Sequence, residues 1–316
     1  MAGDLVVRPA RPGDRAAVER VCAHTWEWGD YIPEVWDKWL ADPDGALLVG
    51  EIEGQVVAVG RVAFLPHRQA WFEAMRVDPD YRQRGIAGQF LQHKLDLARS
   101  RNSQVVRLAT SANNTPVHKM MAAAGMVRVG SFALRTAEPI EQGPHITFLS
   151  PEEAGAVQPF LEASPVLAHN QGLFSTDWAW QELSRERASE LLTAVQIAGH
   201  RGPDGSLQAL AQLQYTTGDE RLWIGYADGD PTAVTRLARA IRSHAARVGA
   251  PRADIMLPDL SWLRDAFHQA GFTPGDWEGE LWVFEKRLTP GAGAKAVDDS
   301  ERPKMPGAES GGDHDR

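Results

Sequence analysis

Residues 71–98 constrain this chain more than any other stretch. A short apolar run, 71–77, leads through Asp78-Pro79-Asp80-Tyr81 into Arg82-Gln83-Arg84-Gly85-Ile86-Ala87-Gly88. A helix follows, because Ala87, Leu91, Leu95 and Ala98 recur at spacings of four, four and three and share one face. Glycines stand where strand becomes helix. Such a turn points unpaired backbone N–H groups and the positive end of the helix dipole at one place, which suits an anion. Arg82 and Arg84 flank it, so a phosphate or pyrophosphate is the natural guest. By itself the turn is compatible with a dinucleotide fingerprint, a nucleoside-triphosphate loop or a plain tight turn. The spacing G-x-G-x-x-G and the ending G-K-[ST] are both missing.

At 316 residues the chain has room for two domains, and 43% apolar content supplies real cores. The net charge of −9 argues against a general nucleic-acid binder. It suits neutral or cationic partners, or simple solubility. Cys22 stands alone, which excludes an internal disulfide framework and a cysteine metal cluster; no metal is expected. The N-terminus lacks the basic-then-apolar pattern of a signal peptide, and no apolar run reaches membrane-spanning length. The expectation is a cytoplasmic protein without a membrane partner, monomeric or homodimeric.

In chain order the pattern predicts a strand at 5–8 and a helix from Asp14 to about His24. A hairpin follows at 46–52 and 56–64 around Glu53-Gly54, then the strand 71–77 and its helix. A buried strand is expected at 105–110, a helix from Pro116 to the glycine stop at Gly125, and a strand at 126–135. The second half repeats this order. Strands are expected at 192–198, 207–215 and 222–227, a helix at 232–248, a strand at 253–257, a helix at 262–270 and a strand at 281–285. Gly125-Met126 and Gly271-Phe272 mark equivalent helix ends. At that offset Arg82–Ala87 falls on Asp228–Ala233, where Pro231 and two aspartates would spoil an anion site.

The pattern Arg82-x-x-Gly85-x-Ala87 after Val77-x-Pro79-x-Tyr81 resembles the acetyl-CoA pyrophosphate loop of the GNAT family of N-acetyltransferases. The element order over about 4–136 matches as well. The resemblance implies an α/β (α+β) fold of two tandem GNAT-like domains, each a mixed, mostly antiparallel twisted sheet flanked by helices. The expected division is a catalytic domain at 1–137, a linker at 138–144, a degenerate copy at 145–288 and a disordered tail at 289–316. It implies acetyl-CoA as co-substrate. Amides of Gln83, Arg84, Gly85, Ile86, Ala87 and Gly88 would hold its pyrophosphate, with charge from Arg82 and Arg84. Backbone groups near Met75 and Val77 would meet the pantetheine arm, and so would Asn114, which opens the family's later motif. The tyrosine of that motif, a proton donor in the family, falls on Met121, which cannot donate.

Glu73 is the candidate base. Alternation puts Trp71, Glu73, Met75 and Val77 on one face, and a carboxylate on an apolar strand is costly unless used or paired. The alternative is an arginine or backbone partner. His67 is a weaker candidate and fits a surface histidine. Trp26, Trp28, Asp30 and Tyr31 crowd a stretch without helical period; they form either an acceptor pocket for a cationic amine or ordinary packing. Gly29-Asp30-Tyr31-Ile32-Pro33, Trp36 and Trp39-Leu40, with Glu73 and Arg76-Val77, are similar to the vertebrate histidine N-acetyltransferase group. An α-amine near pKa 8 is easier to neutralise than a lysine near 10.4. The expected acceptor is therefore a small-molecule primary amine such as a free amino acid, with protein N-termini or lysines second. An acetyl-CoA-binding sensor or scaffold is the reading from another class.

Overall fold

The computed structural model describes residues 4–23, 25, 29–216, 221–277 and 279–289. Trp26, Trp28 and the tail beyond Thr289 lie outside the described residues.

The first half runs β1 (Val6–Pro9), α1 (Arg15–Cys22), α2 (Ile32–Leu40), β2 (Gly45–Ile52), β3 (Gln55–Leu65), β4 (Gln69–Val77), α3 (Ile86–Ser100), β5 (Val105–Ser111), α4 (Thr115–Ala123) and β6 (Val127–Ala137). The second runs β7 (Thr147–Phe148), α5 (Ala154–Glu162), α6 (Pro165–His169), β8 (Leu173–Thr176), β9 (Ala179–Glu182), α7 (Arg185–Thr193), β10 (Ile197–Arg201), β11 (Leu207–Thr216) and β12 (Arg221–Gly229). It continues through α8 (Pro231–Arg247), β13 (Arg252–Pro258), α9 (Ser261–Gln269), β14 (Thr273–Pro274) and β15 (Glu280–Arg287). The predicted strand at 192–198 is corrected. Leu191 and Leu192 belong to α7, held by a Ser184 side-chain cap at its start, and the strand begins only at Ile197. A short apolar run does not distinguish a buried helix end from a strand.

The two copies do not form separate sheets. One sheet runs β1-β2-β3-β4-β5-β15-β6-β13-β12-β11-β10-β7, with β14 beside β6. The last strand of each half crosses over. β15 pairs antiparallel with β5 of the first half, and β6 pairs antiparallel with β13 of the second. The two exchanged strands pair with each other in the middle. A third element seals the junction: the β8–β9 hairpin lays Trp180 against Trp71 and Phe132, with ring centroids 5.8 and 5.0 Å apart. Gln69 then bridges the halves, accepting from Arg107 and from the Glu182 N–H at 3.0 Å. Arg107, fully buried, also reaches Glu285 of β15 at 2.7 Å.

Helices α3 and α4 cover one face of the first half through Ile86, Phe90, Leu91, Leu95 and Met121. Helices α1 and α2 cover the other through Val18, Cys22, Ile32, Trp36 and Trp39. Successive strand residues alternate between these two cores, as in Leu47 and Val49 against Leu48.

Candidate functional site

The site is positioned by two departures from regular strand pairing. The parallel pair β4–β5 is hydrogen-bonded only at Gln69–Val105, Ala70–Val106 and Trp71–Arg107, and beyond that the strands part. On its other side β4 pairs with β3 as Arg61–Glu73 and then Val59–Arg76, so two residues of β4, Ala74 and Met75, oppose Gly60 alone. This is a β-bulge, and Ala74 adopts φ +59° to make it. A bulge resets the alternation. Met75 and Val77 pack toward α3 and α4, while Trp71 and Ala74 belong to cores on the opposite face. The single face expected for Trp71, Glu73, Met75 and Val77 is therefore corrected: Glu73 lies on the α1–α2 side, and Met75 and Val77 on the other.

At the end of β4, Asp78 accepts from the Asp80 N–H at 3.0 Å and starts a single tight helical turn. The loop then needs two left-handed residues, Gln83 at φ +62° and Gly85 at φ +77°. Arg82 Nε donates to the Val77 carbonyl at 3.1 Å, and Arg84 donates to the Asp80 carbonyl at 2.8 Å while lying over the Tyr81 ring. Both arginines brace the loop and remain exposed. Helix α3 begins at Ile86 without a side-chain cap, and its first helical bond is Gln89 N–H to the Gly85 carbonyl at 3.1 Å. The N–H groups of Ile86, Ala87 and Gly88 thus have no carbonyl within the helix. A side chain at Gly88 would meet nothing within 4 Å, so the backbone here is open to approach. A helix N-terminus of this kind fits a pyrophosphate.

Across the gap stands Asn114. Its carbonyl caps α4 by accepting from the Val117 N–H at 3.4 Å, and its amide donates to Thr110 Oγ1 at 3.0 Å. Met121 is fully buried in the core between α4 and the sheet, so this position packs and carries no proton. His118 stacks on Trp282 of β15 at 4.6 Å, so the exchanged strand supports the helix that carries Asn114 to the cleft.

Glu73 is paired. Its carboxylate receives Arg61, which also binds Asp42 and lies 5.0 Å over the Trp39 ring. Arg61 is 9% exposed, and the Glu73 side chain keeps 22% exposure, enough to reach a ligand. Sequence reasoning did not single out Arg61. Its signal is a lone charge in the apolar run 56–64, and the register sets it directly opposite Glu73.

Lys94 was also missed. It lies on the apolar face of α3, 1% exposed, and donates from Nζ to the Glu73 carbonyl at 3.2 Å, over the Phe72 ring. Burial pushes its ammonium down to about 7; the Glu73 carboxylate works against this and Arg61 works with it. A lysine three residues after Leu91 and four before Ala98, inside the apolar stripe, is the sequence signal that would have found it.

Of the acceptor cluster, Asp30 and Tyr31 are described. The Asp30 carboxylate accepts from Arg76 Nε at 2.6 Å and from the Ile32 N–H at 3.1 Å, with 1% side-chain exposure. It anchors Arg76 and the start of α2 and does not offer an open acidic wall. Tyr31 stands edge-on to Trp39 at 5.8 Å and under Arg76 at 5.6 Å. Burial pushes its phenol up to about 12, with Arg76 opposing. It packs on the α1–α2 face, across the sheet from Met121. His67 faces the second half, 3.2 Å from Glu190 of α7.

In the second half the equivalent turn is missing, which corrects the expected overlay of Arg82–Ala87 on Asp228–Ala233. Residues 78–85 separate β4 from α3, whereas Asp230 alone separates β12 from α8. Asp230 accepts from the Thr232 and Ala233 N–H groups, both at 3.0 Å, and so fills the helix N-terminus itself. Asp228 is buried under the start of α6, bonded by Ser164, the Val166 N–H and the Gly229 N–H. The bulge of β12 is filled as well: a Cβ on Gly225 would fall 2.1 Å from the Ser175 carbonyl of β8.

Residues 15–126 match the family model described as Acetyltransferase (GNAT) family. A histidine N-acetyltransferase of Oreochromis niloticus is 30% identical over 77 residues, which is 24% of this chain and 23% of that protein. The chain thus matches about a quarter of that relative's length. The fold is similar to a GCN5-related N-acetyltransferase from Sphaerobacter thermophilus, with TM-score 0.57, 17% identity, and 91% and 97% of the two chains covered. It is also similar to a tandem GNAT protein from the clavulanic acid biosynthesis pathway, with TM-score 0.52, 14% identity, and 90% and 98% covered.

Proposed function

We propose that this chain, an acyltransferase by its GNAT domain, uses acetyl-CoA to acetylate the primary amine of a small molecule such as a free amino acid. One observation carries the reading. Among the described residues, the two strand-to-helix turns of the tandem copies differ in the way a single donor site requires: the α3 turn is long, uncapped and open, and the α8 turn is shortened and plugged by its own aspartate. In this reading 1–137 carries the site, 138–144 links, and 145–288 supports the fold and completes the sheet.

When bound, acetyl-CoA supplies an activated thioester. The residues around it have separable tasks. The N–H groups of Ile86, Ala87 and Gly88 hold an anion at the positive end of α3. Beyond Trp71 the parted strands leave the β4 edge at Met75 and Val77 unpaired with β5, beside the cleft where an extended arm would lie, with Asn114 opposite. Glu73 takes a proton from the incoming ammonium at its carboxylate oxygen. Arg61 keeps that carboxylate oriented, and Lys94 holds the Glu73 carbonyl from the other face. The likeness to a histidine N-acetyltransferase supports an amino acid acceptor. Protein N-termini or lysines are the second choice of acceptor. A sensor or scaffold reading draws on Met121, which leaves the family's proton-donor position empty of an acid.

Thiol release from acetyl-CoA across a panel of amino acids and polyamines tests the proposal. Release raised by an amino acid is expected. If acetyl-CoA binds and no amine raises release, the enzyme reading gives way to the sensor. Glu73→Gln should lower turnover about 10²- to 10⁴-fold at neutral pH with donor affinity retained; unchanged turnover would remove Glu73 as base.

A further inference from the structure

A cavity among the described residues lies away from the α3 turn. It holds about 340 Å³, within the size range of small-molecule sites. It is bounded by β6, the end of β13, the start of α9 and the segment before β15, so both halves build it. Phe132, Leu257, Pro258 and Pro274 give it apolar walls.

Its polar groups are unbalanced. Arg135 is half-buried, and among the described residues its side chain makes one hydrogen bond, at 2.8 Å to the carbonyl of its neighbour Leu134, and no ion pair. Arg264 lines the same cavity and reaches Asp259 only at 3.5 Å. Burial lowers the Arg135 pKa, and the Arg264 charge adds to this. Trp277 also lines the cavity, and its indole N–H is buried with no partner among the described residues. Among the described lining residues the carboxylates already have partners: Asp259 has Arg264, and Glu280 has Ser131 Oγ at 2.7 Å and the Trp282 indole at 3.5 Å. A buried donor without a partner and a half-buried cation without a counter-charge are costly when left so.

We propose that this cavity is a second ligand site, built for a small organic carboxylate carried on a flat apolar body. The carboxylate accepts from Arg135 and from the Trp277 indole, and the body lies among Phe132, Leu257 and Pro258. An inorganic anion would satisfy the donors and leave the apolar walls wet. The site adjoins the donor cleft through backbone: the Glu280 carbonyl accepts from the Ala112 N–H at 2.8 Å, two residues before Asn114. The proposal does not rest on the acetyl-transfer reading.

Benzoate, with benzamide as its neutral isostere, is the probe. The readout is the indole N–H signals in a proton–nitrogen correlation spectrum of the full chain, with Trp277→Phe identifying the Trp277 peak. Millimolar benzoate should shift that peak and benzamide should not. Arg135→Met should weaken benzoate at least about tenfold, the scale of one lost charge-assisted hydrogen bond. Arg264→Met should weaken it too, and stands in if melting shows that Arg135→Met does not fold. No shift with benzoate, an equal shift with benzamide, or undiminished affinity in a folded arginine variant would overturn the proposal.

Discussion

Replacing Lys94 with methionine should stabilise the protein near neutrality and destabilise it in alkali. The ammonium is fully buried and its pKa falls from 10.5 to about 7. At about 1.4 kcal/mol per unit, the fold disfavours the charged form by roughly 4–5 kcal/mol. The sign follows from proton binding. Between pH 7 and 10.5 the unfolded lysine is protonated and the folded one is not, so wild-type stability rises with pH across this window. Below about 7 the full penalty applies; above 10.5 none remains. Methionine has similar length and no charge, so it removes the penalty. It also removes the donor to the Glu73 carbonyl, which costs about 1–3 kcal/mol at any pH. The variant should therefore gain about 2–3 kcal/mol at pH 6.5, a rise of roughly 4–10 °C in Tm. By pH 10.5 it should be the less stable protein. Thermal melts of both chains from pH 6 to 10.5 give the difference curve directly, and common titrations cancel in it. A Tm difference of one sign across the whole range would refute the argument, because only a titrating buried amine makes it cross zero.

Other outcomes can be checked on the same footing. Asn114→Ala removes the α4 cap and should cost about 1 kcal/mol in denaturant melts, with donor affinity falling more steeply than acceptor affinity. Gly85→Val forces a β-branched residue to φ +77° and should abolish donor binding by calorimetry while the far-ultraviolet spectrum stays near wild type. Cys22 is buried and its thiol is pushed up to about 12 by burial, so the native chain should react with a disulfide reagent at pH 8 only on unfolding. Truncation after Gly279 removes β15 and should leave β5 and β6 unpaired, detected as loss of the cooperative melt and binding of a hydrophobic dye.

The local grammar of the first half was legible because its signals are local. The hairpin around Glu53-Gly54, the glycine turn and the Gly125 helix stop appear within a residue or two of where they were expected. Residues 154–191 gave no reading and proved to lie in three helices and a hairpin, since short amphipathic pieces around Pro159 and Pro165 lack a sustained period. The bulge at Ala74 was invisible for a different reason. It costs a strained φ that tertiary pairing with Gly60 imposes, and no residue type announces it. The partners of Glu73 and Asp30 were left open because an ion pair depends on which strand rung faces which. The strand exchange is the least legible feature of all: β6 and β15 carry similar alternating patterns, and nothing within either says whose sheet it completes.

That exchange also sets a schedule for the newborn chain. The strand that closes the gap between β5 and β6 is encoded near the end of the described sequence. Translation at about 5–20 residues per second leaves the first half waiting roughly 10–30 s for β15 to emerge. Throughout that interval β5 and β6 present open edges of the kind that recruit stray strands. Chaperone capture while on the ribosome, loss of β15, or a slow codon between the copies would therefore be felt at β5 and β6, the strands that flank the helix capped by Asn114.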